Sequence, residues 1–289
     1  MDLLPELVLQ LVNGFVWGWI LALLALGLTL VFGLLEVVNI AHGALYTFGA
    51  IAAWYITHLT GSFWLALVVA PVIVGLLGMG AYIFAVRPVE STPIATVIAT
   101  FGLLFIFQHV ALLLFGPNPS SVPLPVDINI PLMGRTYPVY RLLVAALAML
   151  VIGGLWLILR HTDYGVWVRA TQQDRETAIA MGIPAAKIYT LTFGLGSALA
   201  ALGGVLAAPI TSVQFNMGLD VIIDIFIVVI AGGLGNLGGT VLVALFLREF
   251  EGVSAIFFTP VLSKALALLA MTVVLLVRRE GFAIGAKRD

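Results

Sequence analysis

The chain has 289 residues, of which 62% are hydrophobic and only 9% are charged, with a formal net charge of −1. An ordinary soluble domain has about 25% charged residues, so a soluble fold of this composition would leave far too much apolar surface in water. The balanced charge excludes nucleic acid as a partner, and the lack of cysteine excludes disulfides and thiolate metal ligands. We therefore expect an all-α polytopic membrane protein.

Apolar runs bounded by charges or turn residues predict the membrane spans. A helix that crosses a hydrocarbon core of about 30 Å needs roughly 20 residues, so this length permits at most about eight or nine crossings. We expect seven to nine transmembrane or re-entrant helices in a single membrane domain, residues 1–289. The predicted spans are residues 9–33, 41–58, 63–86, 94–115, 141–160, 188–208 and 259–277.

The link between the first two runs carries polar residues, among them Glu36, Asn39 and His42. Polar groups at membrane depth are costly unless they face protein or a water-filled pathway. Gly33 and Gly43 allow the helix to break here and to present backbone groups to a solute. Two interpretations remain: Asn39, His42 and Gly43 line the substrate pathway, or the link is a solvated turn between two helices.

Residues 116–140 contain closely spaced prolines, which disfavour a helix. We predict an extended external loop, which either contacts a docked protein or covers the mouth of the bundle. The prolines are Pro117, Pro119, Pro123, Pro125, Pro131 and Pro138.

The other long polar segment, residues 160–187, is where charged residues recur at helical spacing. Asp174 is suited to cap a short helix that ends at Gly182, ahead of Pro184. Its apolar residues, Ala178, Ile179 and Met181, are predicted to lie near one face. An amphipathic helix of this kind either lies on lipid headgroups or docks onto a partner.

Residues 221–250 are apolar on both sides of a glycine-rich stretch, residues 232–239, and predict either one long helix or a hairpin. With the N-terminus outside, a hairpin places nine basic residues inside and four outside, whereas a single crossing gives seven and six. Basic residues concentrate on the cytoplasmic side, which favours the hairpin and a cytoplasmic C-terminus. Each arm is expected to have about a dozen residues, fewer than the roughly 20 of a full span. The hairpin is either re-entrant or a pair of tilted crossings.

The glycine-rich stretch also fits the spacing Gly-x-Gly-x-x-Gly, but no soluble strand and helix unit accompanies it, so we do not predict a dinucleotide site. The glycines predict a tight turn between two helices. Gly233, Gly235 and Asn236 either line or gate the pathway or serve helix packing alone. Asp220 and Asp224, at the start of the hairpin, are candidates to contact a substrate ammonium, although Asp220 is also suited to a helix cap.

No chemistry is predicted on this chain. It contains no Gly-x-x-x-x-Gly-Lys-Ser/Thr phosphate loop, and its histidines lack metal-ligand spacing. We predict no catalytic residue, no metal site and no cofactor.

The segment Glu176-Thr177-Ala178, followed after three residues by Gly182, resembles the Glu-Ala-Ala-x-x-x-Gly loop by which the permeases of ABC importers dock onto their ATPases. Thr177 replaces the middle alanine, and the later isoleucine and proline of that loop are not at their usual spacing. The resemblance implies a coupling loop at about residues 160–187. Its coupling residues would be Arg169, Asp174, Glu176, Ala178, Met181 and Gly182.

Residues 23–43, the glycine-rich stretch and residues 276–282 are similar to the smaller permease subunit type of branched-chain amino acid ABC transporters. This resemblance implies an ABC-importer permease fold in the bacterial inner membrane and transport of branched-chain or related small amino acids by alternating access. The implied partners are a second homologous permease, two ATP-binding subunits, an extracytoplasmic solute-binding protein and membrane lipid. Gly14 and Gly18, four residues apart, are suited to close helix packing with the partner permease.

Other functions remain as alternatives. Related permeases serve urea or short amides. A stand-alone secondary transporter or channel would normally place ionisable residues within its spans, and this chain has few. A membrane enzyme is disfavoured because no base, nucleophile or metal cluster is assembled at one depth.

Overall fold

The computed structural model describes residues 3–277. The segment 278–282 and the basic residues Lys287 and Arg288, used above for the resemblance and the charge count, lie outside the described residues. The helices in the described range are α1 Leu3–Leu35, α2 His42–Thr60, α3 Phe63–Ala81, α4 Pro93–Phe115, α5 Val139–His161, α6 Asp163–Gln173, α7 Arg175–Ala180, α8 Ala185–Ala207, α9 Met217–Gly232, α10 Leu237–Ser254 and α11 Pro260–Val277. The strands are β1 Asn129–Leu132 and β2 Arg135–Pro138.

The protein is an all-α polytopic membrane protein. Within the described residues, five helices are long and apolar enough to cross a membrane: α1, α3 with the two turns that extend it to Val89, α4, α5 and α8. All seven spans predicted from the sequence coincide with helices, since α2 and α11 complete the set. With α9 and α10, the number of long helices agrees with the expected seven to nine.

The centre of the bundle is formed by α1 and α8. Their most apolar windows are 78% and 72% buried, whereas those of α3, α4 and α5 are only 22–28% buried. Helix α8 packs against α1, α2 and α3, and α10 packs along α1. The large apolar side chains of α3, α4 and α5 therefore form the outer, lipid-facing surface.

The two glycines at the start of α1 face α10 of the same chain. A Cβ atom on Gly14 would lie 3.0 Å from the carbonyl oxygen of Arg248, and one on Gly18 would lie 3.1 Å from the Cα of Leu245. Both positions must stay small for α10 to approach α1. The predicted close helix packing of these glycines is confirmed, but it is with α10 of the same subunit and not with a partner permease.

Helices α9 and α10 form the predicted hairpin. They contain 16 and 18 residues, about 24 and 27 Å of helix. The arms are longer than the dozen residues expected, because α9 begins at Met217, before the predicted stretch, and α10 continues to Ser254, beyond it. Asp224 and Arg248 pair with each other at 2.9 Å between the two arms. Gly233 and Gly235 turn the chain with φ angles of 92° and 78°.

The proline-rich segment is extended, as predicted, and folds back on itself. Strands β1 and β2 pair antiparallel. The chain reverses at Met133 and Gly134, both with positive φ. Ser120 bridges to Val213 in the α8–α9 connection and ties the segment to the bundle.

Candidate functional site

The polar segment that follows α5 forms two consecutive capped helices. Thr162 caps α6, and Asp174 caps α7 as predicted: its Oδ1 accepts the Thr177 N–H at 3.0 Å. The Thr177 hydroxyl also donates to Asp174 Oδ2 at 2.6 Å. These hydrogen bonds from the Thr177 hydroxyl and amide hold the pKa of Asp174 below its usual value. Thr177, the residue that departs from the family pattern, thus strengthens the cap.

The outer surface of α7 is apolar and exposed. Ala178 is buried, whereas the side chains of Ile179 and Met181 are 51% and 79% exposed. The prediction that these three residues share one face is wrong, because α7 has only six residues and Met181 lies beyond its end, just before the left-handed Gly182. Glu176 is exposed on the same segment.

Several contacts fix this segment to the bundle. Arg169 donates to the backbone carbonyl of Leu159 at the end of α5. Arg175 pairs with Glu90, in the α3–α4 connection, at 2.9 Å and lies 5.0 Å from the ring of Tyr189 on α8. Arg175 therefore connects α7 to both α8 and the α3–α4 connection.

Helix α6 meets α1 and the tip of the hairpin at one point. Gln172 Nε2 donates to the Gly33 carbonyl at 2.8 Å. A Cβ atom on Gly235 would lie 2.7 Å from that nitrogen, and one on Gly33 would lie 2.7 Å from the Gly235 Cα. Gln172, Gly33 and Gly235 thus form a close junction, and we call this end of the bundle the α6 end. A cavity of about 220 Å³ adjoins the junction and is lined in part by Thr29, Arg169 and Leu237.

The predicted pathway residues of the hairpin lie at this junction. Gly233 and Gly235 form the turn, and Asn236 caps α10 by accepting the Gly239 N–H at 3.1 Å. Asn236 also donates to the Gly232 carbonyl at 3.2 Å. Its amide therefore stabilises the turn.

The predicted pathway residues near α2 lie elsewhere. Asn39 and His42 are fully buried, so the alternative of a solvated turn is wrong; only Glu36 of this link is exposed. His42 Nε2 lies 3.0 Å from the carbonyl oxygen of Leu24, so α2 begins beside the middle of α1. Gly43 packs against Gly218 at the start of α9, not against the hairpin tip. The structure therefore does not bring the two predicted sets together.

Of the two acidic residues of α9, Asp224 already has partners. Asp224 pairs with Arg248 at 2.9 Å and with Lys264 at 3.2 Å. Asp220 is exposed, and Lys264 donates to its backbone carbonyl at 3.0 Å. Asp224 therefore contacts the ammonium of Lys264 and not, as predicted, that of a substrate. Asp220 lies in the first turn of α9 and does not cap it, because Asn216 holds the cap position.

The sequence reasoning missed two residues that organise the segment. Glu90 pairs with Arg175, 85 residues away in the chain, and Gln172 bonds to Gly33, 139 residues away. No local sequence pattern indicates contacts between residues so far apart. The opposite charges of Glu90 and Arg175 were the only available signal.

Residues 10–276 match the family described as "Branched-chain amino acid transport system / permease component". The chain belongs to this family. It is 27% identical over 289 residues to the high-affinity branched-chain amino acid transport system permease protein BraD of Pseudomonas aeruginosa, with 94% of each chain covered. It is also 27% identical over 293 residues to the permease LivH of the corresponding Escherichia coli K12 system, again with 94% of each chain covered. A probable branched-chain amino acid transport permease of Methanocaldococcus jannaschii is 27% identical over 252 residues, with 83% of this chain and 78% of the relative covered. No solved structure matches significantly.

Family membership assigns the chain a transport role in the membrane. The match spans nearly all the described helices, including α6, α7 and the hairpin. Residues 10–276 are therefore a permease component.

Proposed function

We propose that this chain is the membrane-spanning permease subunit of an ATP-driven importer for branched-chain or related small amino acids. The observation that carries the proposal is the exposed surface of α7, formed by Glu176, Ile179 and Met181, on a segment that contacts the bundle through Arg169 and Arg175. The relatives named for high-affinity branched-chain amino acid transport support the solute class.

In this proposal the chain works with a second homologous permease, two ATP-binding subunits and an extracytoplasmic solute-binding protein. The α6 end faces the cytoplasm of a bacterial cell, and the N-terminus of α1 faces outward. ATP hydrolysis takes place on the partners, and Arg169, Asp174, Glu176, Ala178, Met181 and Gly182 belong to the coupling segment.

The geometry supports a route for the coupling. Closure of the ATPases displaces α7, and the Arg175–Glu90 pair transmits this displacement to the α3–α4 connection. Through α6 and Gln172 it reaches Gly33 and Gly235 at the hairpin tip. The hairpin then alternates the pathway between the two sides, and Gly233, Gly235 and Asn236 move with it.

The test is the Gly182→Arg variant in a complex co-expressed with its neighbouring genes and reconstituted in lipid nanodiscs. Gly182 has a φ of 88° and no neighbour around its Cβ position, so arginine there projects from the α7 surface. We expect that the ATPase subunits no longer co-purify with the variant, or that its coupled ATPase activity falls at least tenfold. The matched control is Gly134→Arg, at an equally open left-handed glycine between β1 and β2, which should retain both.

The proposal fails if no ATPase co-purifies with the unaltered chain, and a gradient-driven carrier or channel then becomes the better explanation. If the Gly182→Arg complex remains fully coupled, α7 is not the segment that docks onto the ATPases.

A further inference from the structure

A second polar cavity lies at the end of the bundle opposite the α6 end. It has a volume of about 360 Å³ and is enclosed by α1, α5, α10 and α11. This volume falls at the lower end of the range of about 300–1,000 Å³ typical of small-molecule sites. Its lining residues include Asn13, Trp17, Arg141, Arg248, Glu251 and Ser263.

The cavity carries an arginine with no acidic partner. Within residues 3–277, no carboxylate lies within ion-pair distance of Arg141, which donates to Asn13 Oδ1 at 2.8 Å and lies 5.8 Å from the Tyr137 ring. Arg248, by contrast, pairs with Asp224 and with Glu251, at 2.9 and 2.6 Å. Arg141 is thus the arginine of the lining that has no carboxylate partner among the described residues. An unpaired guanidinium is suited to bind a carboxylate.

Further polar groups of the lining lack partners. Ser263 is fully buried, and its hydroxyl makes no hydrogen bond with the described residues. Arg248 Nε is likewise buried and unbonded in this range. A buried polar group without a partner is destabilising, and a bound ligand removes that cost. Glu251 bonds to Arg248 through Oε2, which leaves its other carboxylate oxygen for a cation.

We infer that this cavity is a binding site, within the permease itself, for a small zwitterionic amino acid. Arg141 and Ser263 recognise the carboxylate, and Glu251 accepts the ammonium. Trp17, Ala255 and Pro260 provide an apolar wall for an aliphatic side chain. The inference rests on the proposed function, because it places the transported solute in a site of this subunit.

Direct binding of radiolabelled L-leucine tests the site. The complex is purified with its partner subunits in nanodiscs and assayed without the solute-binding protein. We expect saturable leucine binding, competed by unlabelled leucine but not by leucinamide, which lacks the carboxylate. Arg141→Gln should raise Kd at least tenfold, whereas Arg135→Gln, at an exposed arginine of β2, should leave it unchanged.

A second variant keeps the test decisive if Arg141→Gln does not assemble. Ala255→Leu fills the cavity from its wall without altering a charge and should also raise Kd at least tenfold. Absence of leucine binding to the complex, equal competition by leucinamide, or unchanged Kd in the assembled variants overturns the site. Retention of the ATPase subunits in the same preparations separates this result from failure of the proposed function.

Discussion

Gly33 and Gly235 meet with almost no space between their backbones. The distance of 2.7 Å from a Cβ position on Gly33 to the Gly235 Cα leaves no room for a methyl group, and backbone cannot move aside as a flexible side chain does. Gln172 bonds to the Gly33 carbonyl at the same place. These residues therefore set how closely α1, α6 and the hairpin tip approach one another.

The Gly33→Ala substitution should push Gly235 at the hairpin tip away from α1. Overpacking typically costs about 1–3 kcal/mol, which exceeds the gain of up to about 1 kcal/mol that alanine brings to a helix. We expect a lower thermal unfolding temperature and reduced coupling of ATPase activity to transport in the reconstituted complex.

The control for this substitution is Gly102→Ala in α4, where a Cβ atom meets no neighbour within 4 Å. In the isolated subunit it should be neutral or slightly stabilising, because only the helix propensity changes. Equal unfolding temperatures for the two isolated variants, or a Gly33→Ala complex as well coupled as the unaltered one, would contradict the assigned role of the junction.

At the scale of elements, α7 is a short helix held by contacts at its start. Its N-cap Asp174 and the Arg175–Glu90 pair position it, while its outward side chains make no compensating contact with the bundle. A six-residue helix is too short to be stable by itself, so these contacts determine its orientation.

Charge reversal of the Arg175–Glu90 pair tests this attachment. The Arg175 side chain is 50% exposed, so Arg175→Glu should cost less than about 1 kcal/mol of stability. Glu90→Arg should cost more, because it also removes the carboxylate that accepts from the buried Tyr82 hydroxyl at 2.7 Å. Coupling should nevertheless fall several-fold in Glu90→Arg and in Arg175→Glu, because α7 loses its tie to the α3–α4 connection.

The double variant Glu90→Arg with Arg175→Glu restores opposite charges and should recover most of the coupling. ATPase stimulation by solute in nanodiscs measures each member of this cycle. Additive losses in the double variant would show that the pair does not transmit movement.

The elements differ in how far the sequence predicts them. The spans were predictable because length and apolar content suffice to identify a membrane helix, and the Asp174 cap because its signal is local. The arms of the hairpin were underestimated because α9 and α10 continue past the apolar stretch, through residues 217–220 and 251–254, where polar residues interrupt the apolar pattern. The burial of Asn39 was not predictable, because a link of six residues carries no periodicity.

At the scale of the whole molecule, the described basic residues fall into two groups. Arg169 and Arg175 belong to the helices of the α6 end, whereas Arg141, Arg248 and Lys264 surround the opposite end. These five residues thus lie at two opposite ends of the bundle, and the side of the membrane that each end faces stays a prediction. The sequence did not predict the cavity beside Arg141, because its walls come from four helices far apart in the chain.

The lack of cysteine makes the proposed orientation directly testable. We expect Ser121→Cys, in the exposed segment before β1, to react with an impermeant thiol reagent in intact cells. Gln173→Cys, at the exposed end of α6, should react only after permeabilisation. The reverse pattern would invert the topology and would remove α7 from the side of the ATPases.

The packing of Gly14 and Gly18 inside the subunit has a consequence for assembly. In a bilayer, two helices gain little from burying large apolar side chains, because lipid solvates them equally well, and close approach depends on small residues. Among the described helices, the glycines whose Cβ positions have no neighbour within 4 Å are Gly80, Gly102, Gly153 and Gly154. A neighbouring membrane helix can therefore come into backbone contact with this subunit at the outer surfaces of α3, α4 and α5, whereas α10 screens Gly14 and Gly18 of α1 from it.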